Sequence, residues 1–487
     1  MRLLTFFLTF LLALTACTTP AGNLPATPSP LLQTGSTAIP IKPTIVPTEV
    51  AAKATFETSL LATEWKGPSG GILLFPLDPA SGTALPGYTS ISLGQTYFYA
   101  FSPDRRTLAT MISPSDYAFI GNLLLIDLAA WKTRKIELKL HGWVRAMVFS
   151  PDGGRLAIAY GDDNSTLAIF DLEQGVITTQ KQMDSVITRL KFTTDGESLM
   201  LYGAAIQNDF TENETRAGSP QVSLLDAADL TPRWSARLEG VRDGILRKDE
   251  KATPTATQLD FQAMYYLSPG VAFAPDREAL YVVHADSEQL TTVDFDAQKV
   301  ETIEIQPKLS WFERLLSLTA GVAHAKVADG TSKSVVVSPD GQFLYIVGVH
   351  YESSQDLQGN SQISQIPLGL EVIQTSDGSR IAHLETDAAD LSLSPDGRFI
   401  YLRNWNSGDD QFNVPWTAVF DTSSRQILTR KTGLYASPAL RINGEPLLVS
   451  TYSLDETLNR MSISQLEDLS VLSEWTGPDY IAWLTPQ

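Results

Sequence analysis

Short apolar runs separated by tight turns recur from about residue 57 onward, and this pattern predicts β-strands. The clearest unit is an apolar strand, a turn of the type Ser-Pro-Asp-Gly and a second apolar strand. Proline presets the first corner, aspartate hydrogen-bonds nearby main chain, and glycine takes the left-handed conformation that closes the turn. Six copies occur, at Phe101–Asp104, Phe149–Gly153, Phe192–Gly196, Phe273–Asp276, Val337–Gly341 and Leu393–Gly397.

The residues in and after these turns predict which positions are buried and which turns differ in geometry. An apolar residue follows the proline position by five in every copy, and these residues are predicted to be core: Leu108, Leu156, Leu199, Leu280, Leu344 and Ile400. A weaker seventh copy runs from Leu440 to Leu447 through Asn443 and Gly444. Arg105 and Arg277 stand where other copies have glycine, so a different turn geometry is expected there.

A second unit, an apolar run ending in aspartate before another short turn, follows most first units. These runs end at Asp127, Asp171, Asp226, Asp294 and Asp421, with an additional copy at Ile72–Asp78 and degenerate copies at Leu370–Gln374 and Met461–Leu466. Two hairpins per period give four strands, and motif prolines 48 residues apart (Pro103 and Pro151) match propeller blades of roughly 40–50 residues.

The repeat therefore predicts an all-β chain with a single β-propeller over residues 57–487. Seven first hairpins and eight second hairpins favour eight four-stranded blades, with seven as the alternative. The last apolar strand, Tyr480 to Leu484, is expected to close the ring by joining the N-terminal strands near Thr58–Leu61 and Ile72–Asp78 in one blade.

The turns and strand pattern resemble the WD-repeat-like and YVTN-type (PD40-like) propellers of bacterial exported proteins. The Trp-Asp dipeptide of true WD repeats is missing, since Ile126, Phe170, Leu225, Val293 and Phe420 precede the aspartates. The YVTN-like or PD40-like group is thus the closer match. These families share a fold and differ widely in function, so the resemblance implies the fold more strongly than an activity.

The N-terminus predicts export and lipid anchoring. Arg2, the apolar stretch Leu3 to Leu14 and the small Ala16 form a signal peptide over residues 1–16. Leu14-Thr-Ala-Cys17 resembles the lipobox of bacterial lipoproteins, which implies that Cys17, the only cysteine, becomes the lipidated first residue. Residues 17–56 are rich in Pro, Thr and Ala and predict a disordered tether to an extracytoplasmic, membrane-anchored domain.

The net charge of the chain limits the classes of partner that it can be expected to bind. The chain has 36 Lys and Arg against 55 Asp and Glu, a formal net charge of -19. This balance argues against nucleic acid or an anionic membrane surface as main partner. The expected partners are the membrane, through the lipid on Cys17, and a protein or small molecule on one propeller face. A monomer is expected.

The face opposite the Ser-Pro-Asp-Gly turns is the predicted ligand face, because the second strand of each blade ends there. Nine residues after the proline position the chain reaches this face. Aromatic and polar residues at or near these positions can hold a ligand. The candidates are Tyr160, His284, His350, Tyr351, Arg403, Asn404, Trp405 and Trp416, with ordinary loop residues as the alternative interpretation.

Three insertions interrupt the period, near residues 205–221, 241–269 and 306–334. In the third, Ser310-Trp-Phe-Glu313 is a capping-box pattern that predicts one short helix. Its apolar stripe could dock a partner or the lipid surface, or could pack over the disc. The candidate docking residues are Trp311, Phe312, Leu315 and Leu316.

No nucleophile elbow, phosphate loop or clustered metal-ligand motif occurs, so no catalytic residue, metal or cofactor is assigned. The leading hypothesis is a lipid-anchored propeller that acts as a binding or protein-interaction scaffold. One alternative is an enzyme with a site in the channel, similar to YVTN-like lactonases or quinoprotein-like dehydrogenases. The other is a component of envelope assembly or sensing.

Overall fold

In the computed structural model the chain folds into an all-β propeller of eight blades, which confirms the predicted fold class and the count of eight. No α-helix lies among the described residues, and so none that could cross a membrane. All described residues belong to the compact unit Ala52–Gln487. They are residues 56, 59–66, 71–94, 98–112, 120–162, 164–204, 219–247, 264–307, 330–355, 361–405, 414–439, 441, 446–454, 458–477 and 481–484.

Blade 1 contains strands from both ends of the chain and closes the ring. Its strands are β1 (Leu60–Trp65), β2 (Ile72–Asp78), β3 (Thr83–Ala84), β4 (Ile91–Gly94) and β37 (Ile481–Trp483). β37 pairs with β1 in antiparallel register, with Ala62 opposite Trp483. The predicted pairing of N- and C-terminal strands is confirmed.

Six blades are runs of four consecutive strands in antiparallel order. Blade 2 has β5 (Tyr99–Phe101), β6 (Thr107–Ile112), β7 (Ile120–Asp127) and β8 (Lys132–His141). Blade 3 has β9 (Trp143–Phe149), β10 (Arg155–Gly161), β11 (Thr166–Asp171) and β12 (Val176–Gln182). Blade 4 has β13 (Val186–Phe192), β14 (Ser198–Ala204), β15 (Gln221–Asp226) and β16 (Pro232–Arg237).

The other regular blades follow the same plan. Blade 5 has β19 (Gly270–Phe273), β20 (Ala279–Val283), β21 (Gln289–Asp294) and β22 (Lys299–Glu304). Blade 7 has β29 (Asp390–Leu393), β30 (Phe399–Trp405), β31 (Pro415–Asp421) and β32 (Gln426–Thr432). Blade 8 has β33 (Ala436–Ala439), β34 (Leu447–Ser453), β35 (Asn459–Ser464) and β36 (Val471–Gly477).

Blade 6 is enlarged. Its core strands are β24 (Gly330–Val337), β25 (Phe343–Gln355), β27 (Leu370–Gln374) and β28 (Ser379–Leu384). Four further strands join the same sheet, namely β17 (Gly244–Arg247), β18 (Met264–Ser268), β23 (Gln306–Pro307) and β26 (Ser361–Pro367). β18 runs parallel to the start of β24, and β26 pairs with the far half of β25. The second insertion thus adds strands to a later blade.

The propeller has two distinct faces. First strands of neighbouring blades pack together, as β9 does with β13 and β19 with β24, which makes the first strand of each blade the innermost. The turn face carries the connections between first and second strands. The loop face carries the connections between second and third strands and those between blades, and the described ends of all three long insertions therefore lie there. The predicted helix of the third insertion lies outside the described residues.

Apolar cores fill all eight interfaces between blades. Side chains alternate along each strand, so a middle strand supplies both neighbouring interfaces. In β14, Leu199 and Leu201 pack against blade 3, while Met200 and Tyr202 pack against blade 5. This explains why the second strands are almost continuously apolar. The six predicted core residues that follow the turns are fully buried.

A repeated hydrogen-bond pattern holds the turns. In blade 2, Ser102 Oγ donates to Asp104 Oδ1 over 2.6 Å, the Arg106 amide donates to the same oxygen, and the Thr107 amide donates to Ser102 Oγ. The same hydroxyl–carboxylate pair recurs in four further turns, as Ser150–Asp152, Thr193–Asp195, Ser338–Asp340 and Ser394–Asp396. Blade 5 has Ala274 at the hydroxyl position.

The two arginine turns behave differently. Arg105 adopts a φ of 57°, close to the 72° of Gly153, so this turn keeps the glycine geometry despite its side chain. The expectation of a different geometry is wrong at Arg105. Arg277 does not have a positive φ, and its turn does depart from the others.

Aromatic packing fixes the point at which the N-terminal segment joins the ring. Phe56 stacks on Tyr88 with ring centroids 4.8 Å apart and meets the edge of Trp131. Trp131 lies between β7 and β8, on the turn face. The chain therefore reaches β1 from the turn face.

Candidate functional site

Three of the predicted ligand residues, Arg403, Asn404 and Trp416, come together on the loop face of blades 7 and 8. Arg403 is 6% exposed, and its Nη2 donates to Asp390 Oδ2 over 2.7 Å. Its guanidinium lies 5.4 Å from the centroid of the Tyr435 ring and donates to Ser437 Oγ. The Tyr435 hydroxyl also donates to Asp390 Oδ2, at 3.2 Å. We call Arg403, Asp390, Tyr435 and Ser437 the Arg403 cluster.

Asn404 and Trp416 bind the neighbouring Asp387, in the connection between blades 6 and 7. Trp416 is 1% exposed, and its Nε1 donates to Asp387 Oδ2 over 3.0 Å. Arg430 pairs with the same carboxylate and lies 3.9 Å from the centroid of the Trp416 ring, while Asn404 donates to the Asp387 carbonyl. These contacts fasten the connection to blade 7. Trp405 lies in β30, and its side chain is outside the described part.

His350 and Tyr351 lie on the enlarged sheet of blade 6. His350 Nδ1 lies 2.7 Å from Thr331 Oγ1, and burial, with the nearby Lys333 charge, lowers the pKa of this histidine. Tyr351 meets Tyr266 of β18 edge to face, with centroids 6.4 Å apart. Tyr266 is 42% exposed. The insertion therefore supplies an aromatic partner that the sequence pattern did not indicate.

Tyr160 and His284 lie apart from the Arg403 cluster. Tyr160 is buried in the core between blades 2 and 3. His284 is buried in blade 5, where its Nε2 lies 2.7 Å from Thr291 Oγ1, and burial lowers its pKa. Its Nδ1 has no hydrogen-bond partner. The docking-helix residues Trp311, Phe312, Leu315 and Leu316 lie outside the described residues.

Several charged residues at the blade interfaces were missed by the sequence interpretation. Lys333 is only 9% exposed, and its Nζ makes one long hydrogen bond, 3.4 Å to the Ser287 carbonyl. The neighbouring Glu288 and Glu371 both pair with Arg380, at 2.5 and 2.9 Å. Burial lowers the pKa of Lys333 and raises that of Glu371.

A second buried pair lies between blades 4 and 5. Tyr202 donates to Asp243 Oδ2 over 2.9 Å, and burial raises the pKa of this carboxyl group. A charged residue within a predicted strand, such as Lys333 ahead of Val335–Val337 in β24, was the available signal for these residues. Asp243 gave none, because it stands in an irregular connection.

Exposed large apolar side chains are more numerous on the loop face than on the outer strands. Of the large apolar side chains that are exposed in the described ranges, seven lie at strand ends on this face: Trp65, Phe98, Trp143, Tyr266, Ile366, Val414 and Leu454. Five lie on outer strands, near their turn-face ends: Val176, Ile427, Leu428, Val471 and Leu472. Single exposed apolar residues are ordinary, whereas a concentration on one face is typical of interaction surfaces.

Among the residues described here, no group of three or more His, Cys, Asp or Glu side chains is placed to hold a metal ion. The candidate groups that the structure does bring together are engaged with protein neighbours: Arg403 with Asp390, and Trp416 with Asp387. The geometry at blades 7 and 8 thus supports a stable, preorganised surface.

No protein-family model and no curated protein sequence matches the chain. Solved structures do show a similar fold. A dihydro-heme d1 dehydrogenase, NirN, in complex with DHE has a TM-score of 0.51 at 13% identity, over 89% of this chain and 76% of that chain. A eukaryotic initiation factor has a TM-score of 0.47 at 12% identity, over 87% and 98%. At 13% identity the likeness to NirN shows the fold alone.

Proposed function

We propose that this protein is a lipid-anchored extracytoplasmic β-propeller that holds a protein partner on its loop face. The lipobox at Cys17 and the Pro-rich segment that follows it support the anchor. The observation that carries the binding role is that seven of the twelve large apolar side chains exposed in the described residues lie on the loop face, where the described ends of the long insertions also lie. Aromatic residues such as Trp65, Trp143 and Tyr266 are the types enriched at protein interfaces.

Binding is favoured over catalysis because the predicted ligand residues that the structure describes form ion pairs and hydrogen bonds with other side chains of the protein. Asp390 neutralises Arg403, Asp387 holds Trp416 and Arg430, and His350 contacts Thr331. These contacts engage Asp387 and Asp390, the carboxylates nearest the predicted ligand residues of blade 7, with side chains of the protein itself. A rigid face loses little conformational entropy when a partner binds.

Photo-crosslinking in the native membrane tests the binding role. A photoreactive phenylalanine derivative is placed at Trp65, Trp143 or Leu454 on the loop face, and at Leu428 or Leu472 on outer strands as controls of similar exposure. We expect a discrete crosslinked protein from the loop-face positions only. No product, or the same products from both sets, would contradict the proposal.

The anchor is tested separately by Cys17→Ser. The variant should lose both the mass of the lipid and its retention in the membrane fraction, since no other cysteine can be lipidated. Unchanged mass and retention would rule out the lipid anchor while leaving the loop-face result valid.

A further inference from the structure

One hairpin of blade 6 extends beyond the blade on the loop face. β25 has 13 residues, whereas β10, β14 and β30 have 7 each. Its near half, Phe343–Ile346, pairs with β27 inside the blade, and its far half, Val349–Gln355, pairs with β26. The additional residues lengthen the strand by about 20 Å at a rise of about 3.3 Å per residue. β26 therefore lies above the disc, on the face proposed to hold the partner.

The outer edge of β26 is unpaired. Among the described strands β26 pairs only with β25, so one of its two edges has no strand beside it. Ser364, Gln365 and Ile366 are exposed, and Ile366 is an apolar side chain with 41% of its surface accessible. An open edge presents main-chain donors and acceptors that can pair with another chain.

The register of the hairpin shows which main-chain groups point outward. In an antiparallel pair, residues that bond the neighbouring strand alternate with residues whose N–H and C=O groups point away from it. The Leu368 amide donates to the Gly348 carbonyl over 2.9 Å, and this pair continues the register of β26 on β25. Alternate residues back from Leu368 therefore bond β25. The residues whose main-chain groups point outward are Ser361, Ile363, Gln365 and Pro367.

Pro367 agrees with this assignment. Proline has no N–H, and within sheets it is found on edge strands where the missing donor would have faced outward. Pro367 stands at such a position, the last residue of β26. The open edge therefore offers the amides of Ser361, Ile363 and Gln365, and it ends at Pro367.

β26 also lacks the charges that protect the other outer edges. Charged side chains on an edge strand discourage pairing with another chain. The outer strands β8, β12, β16, β22, β32 and β36 each contain at least one Lys, Arg or Glu, and β28 contains Arg380. β26 reads Ser-Gln-Ile-Ser-Gln-Ile-Pro and contains no charged residue. Of these edges, only that of β26 lacks a charge.

We propose that an extended, uncharged segment of the loop-face partner adds to β26 as a further strand, an inference that rests on the proposed function. Main-chain hydrogen bonds to Ser361, Ile363 and Gln365 supply affinity, and an apolar side chain of the segment packs on Ile366. A different protein fits this edge better than a second copy of the chain, because two chains of net charge -19 repel each other.

Photo-crosslinking in the native membrane tests strand addition. A photoreactive phenylalanine derivative at Ile366 should crosslink the same protein as one at Trp143. Gln365→Pro removes an outward N–H that β25 does not use, and it should lower the yield of the Trp143 product about tenfold. Gln365→Ala is the matched control, because it changes the same side chain, keeps the N–H and should leave the yield unchanged.

A second variant leaves the main chain intact. Ile366→Lys places on β26 the kind of charge that the other edges carry, and it should also lower the yield of the Trp143 product. Thermal melting of each variant checks that the propeller is folded.

The outcomes separate this inference from the partner surface itself. A Trp143 product whose yield is the same in Gln365→Pro and Ile366→Lys would overturn strand addition and leave the partner surface standing. A crosslinked dimer of this chain at Ile366 would overturn the assignment of the occupant. No product from either position would contradict the partner surface, and strand addition with it.

Discussion

Individual turn residues show how closely local chemistry and backbone geometry are matched. Gly153 has a φ of 72° and follows the Ser150–Asp152 pair, whereas Gly154, the next residue, does not have a positive φ. A Cβ at Gly153 would meet nothing closer than 3.9 Å, and one at Gly154 nothing closer than 3.5 Å. Space is thus adequate at both positions, and only the backbone conformation distinguishes them.

Gly153→Ala should therefore destabilise the protein by about 1 kcal/mol, the cost of a left-handed conformation for a residue with a Cβ. Gly154→Ala is the matched control and should change stability by less than about 0.5 kcal/mol. Urea unfolding of both variants measures the difference. Equal effects in the two variants would contradict the assignment of the cost to the left-handed φ of Gly153.

The turn aspartates make the hydroxyl–carboxylate pairs sensitive to acid. The hydrogen bond from Ser150, with that of the Gly154 amide, lowers the pKa of Asp152 below its ordinary value of 3.8, and Asp104 and Asp195 are lowered in the same way. A carboxyl group whose pKa is lower in the folded state stabilises the fold above its unfolded pKa. That stabilisation is lost as pH falls through 3.8 toward the folded value.

Ser150→Ala should reduce stability at pH 6, and its effect should shrink as pH falls through 3.8 toward the lower folded pKa of Asp152, because the protonated carboxyl group accepts the hydrogen bond more weakly. Urea midpoints of the wild type and the variant between pH 6 and pH 3 measure this. Ala274→Ser, which adds the hydroxyl missing from blade 5, is the converse test. A difference between wild type and Ser150→Ala that does not change with pH would contradict the assigned role of Asp152.

At the scale of elements, the strands could be predicted where the motif repeats and not where the insertions add to it. The Ser-Pro-Asp-Gly turns located β10, β14 and β25 because a local hairpin sets its own register. β18 pairs in parallel with β24, a contact between segments far apart in sequence. No local pattern predicts such a pairing, so the enlarged sheet of blade 6 was missed.

The candidate site was predicted less well for the same reason. Proximity along the chain grouped Arg403 with Asn404, and both do lie near the connection between blades 6 and 7. Their partners Asp390 and Asp387 precede β30, and Tyr435 belongs to the next blade. The tertiary structure brings these hydrogen-bond partners together, and counting repeats in the sequence does not predict such contacts.

Second strands carry most of the packing, so a single truncation there should be costly. Leu156 in β10 is fully buried in the core between blades 2 and 3. Leu156→Ala should destabilise by about 3 kcal/mol through lost burial and the cavity it leaves. Leu472→Ala, in the exposed part of β36, should cost less than about 0.5 kcal/mol. Comparable losses in both variants would contradict this packing scheme.

At the scale of the whole molecule, closure depends on one short strand. β37 pairs with β1, and Leu484 packs in the core between blades 1 and 2. Truncation after Gly477 removes both, exposing an edge of β1 and part of that core. Truncation after Leu484 keeps them and is the control.

We expect the shorter chain to unfold at a clearly lower temperature or in more than one transition, and the control to resemble the full chain. Calorimetric melting measures both. An unchanged single transition in the shorter chain would show that blade 1 does not need its C-terminal strand.

The shared blade also sets the order of events during biosynthesis. β1 precedes every other described strand in the chain, yet its partner β37 follows all of them. Blades 2 to 8 can form as their own hairpins arrive, since each pairs only within itself or with nearby insertions. The ring cannot close until β37 has been added, so blade 1 is the last of the eight blades that can be completed.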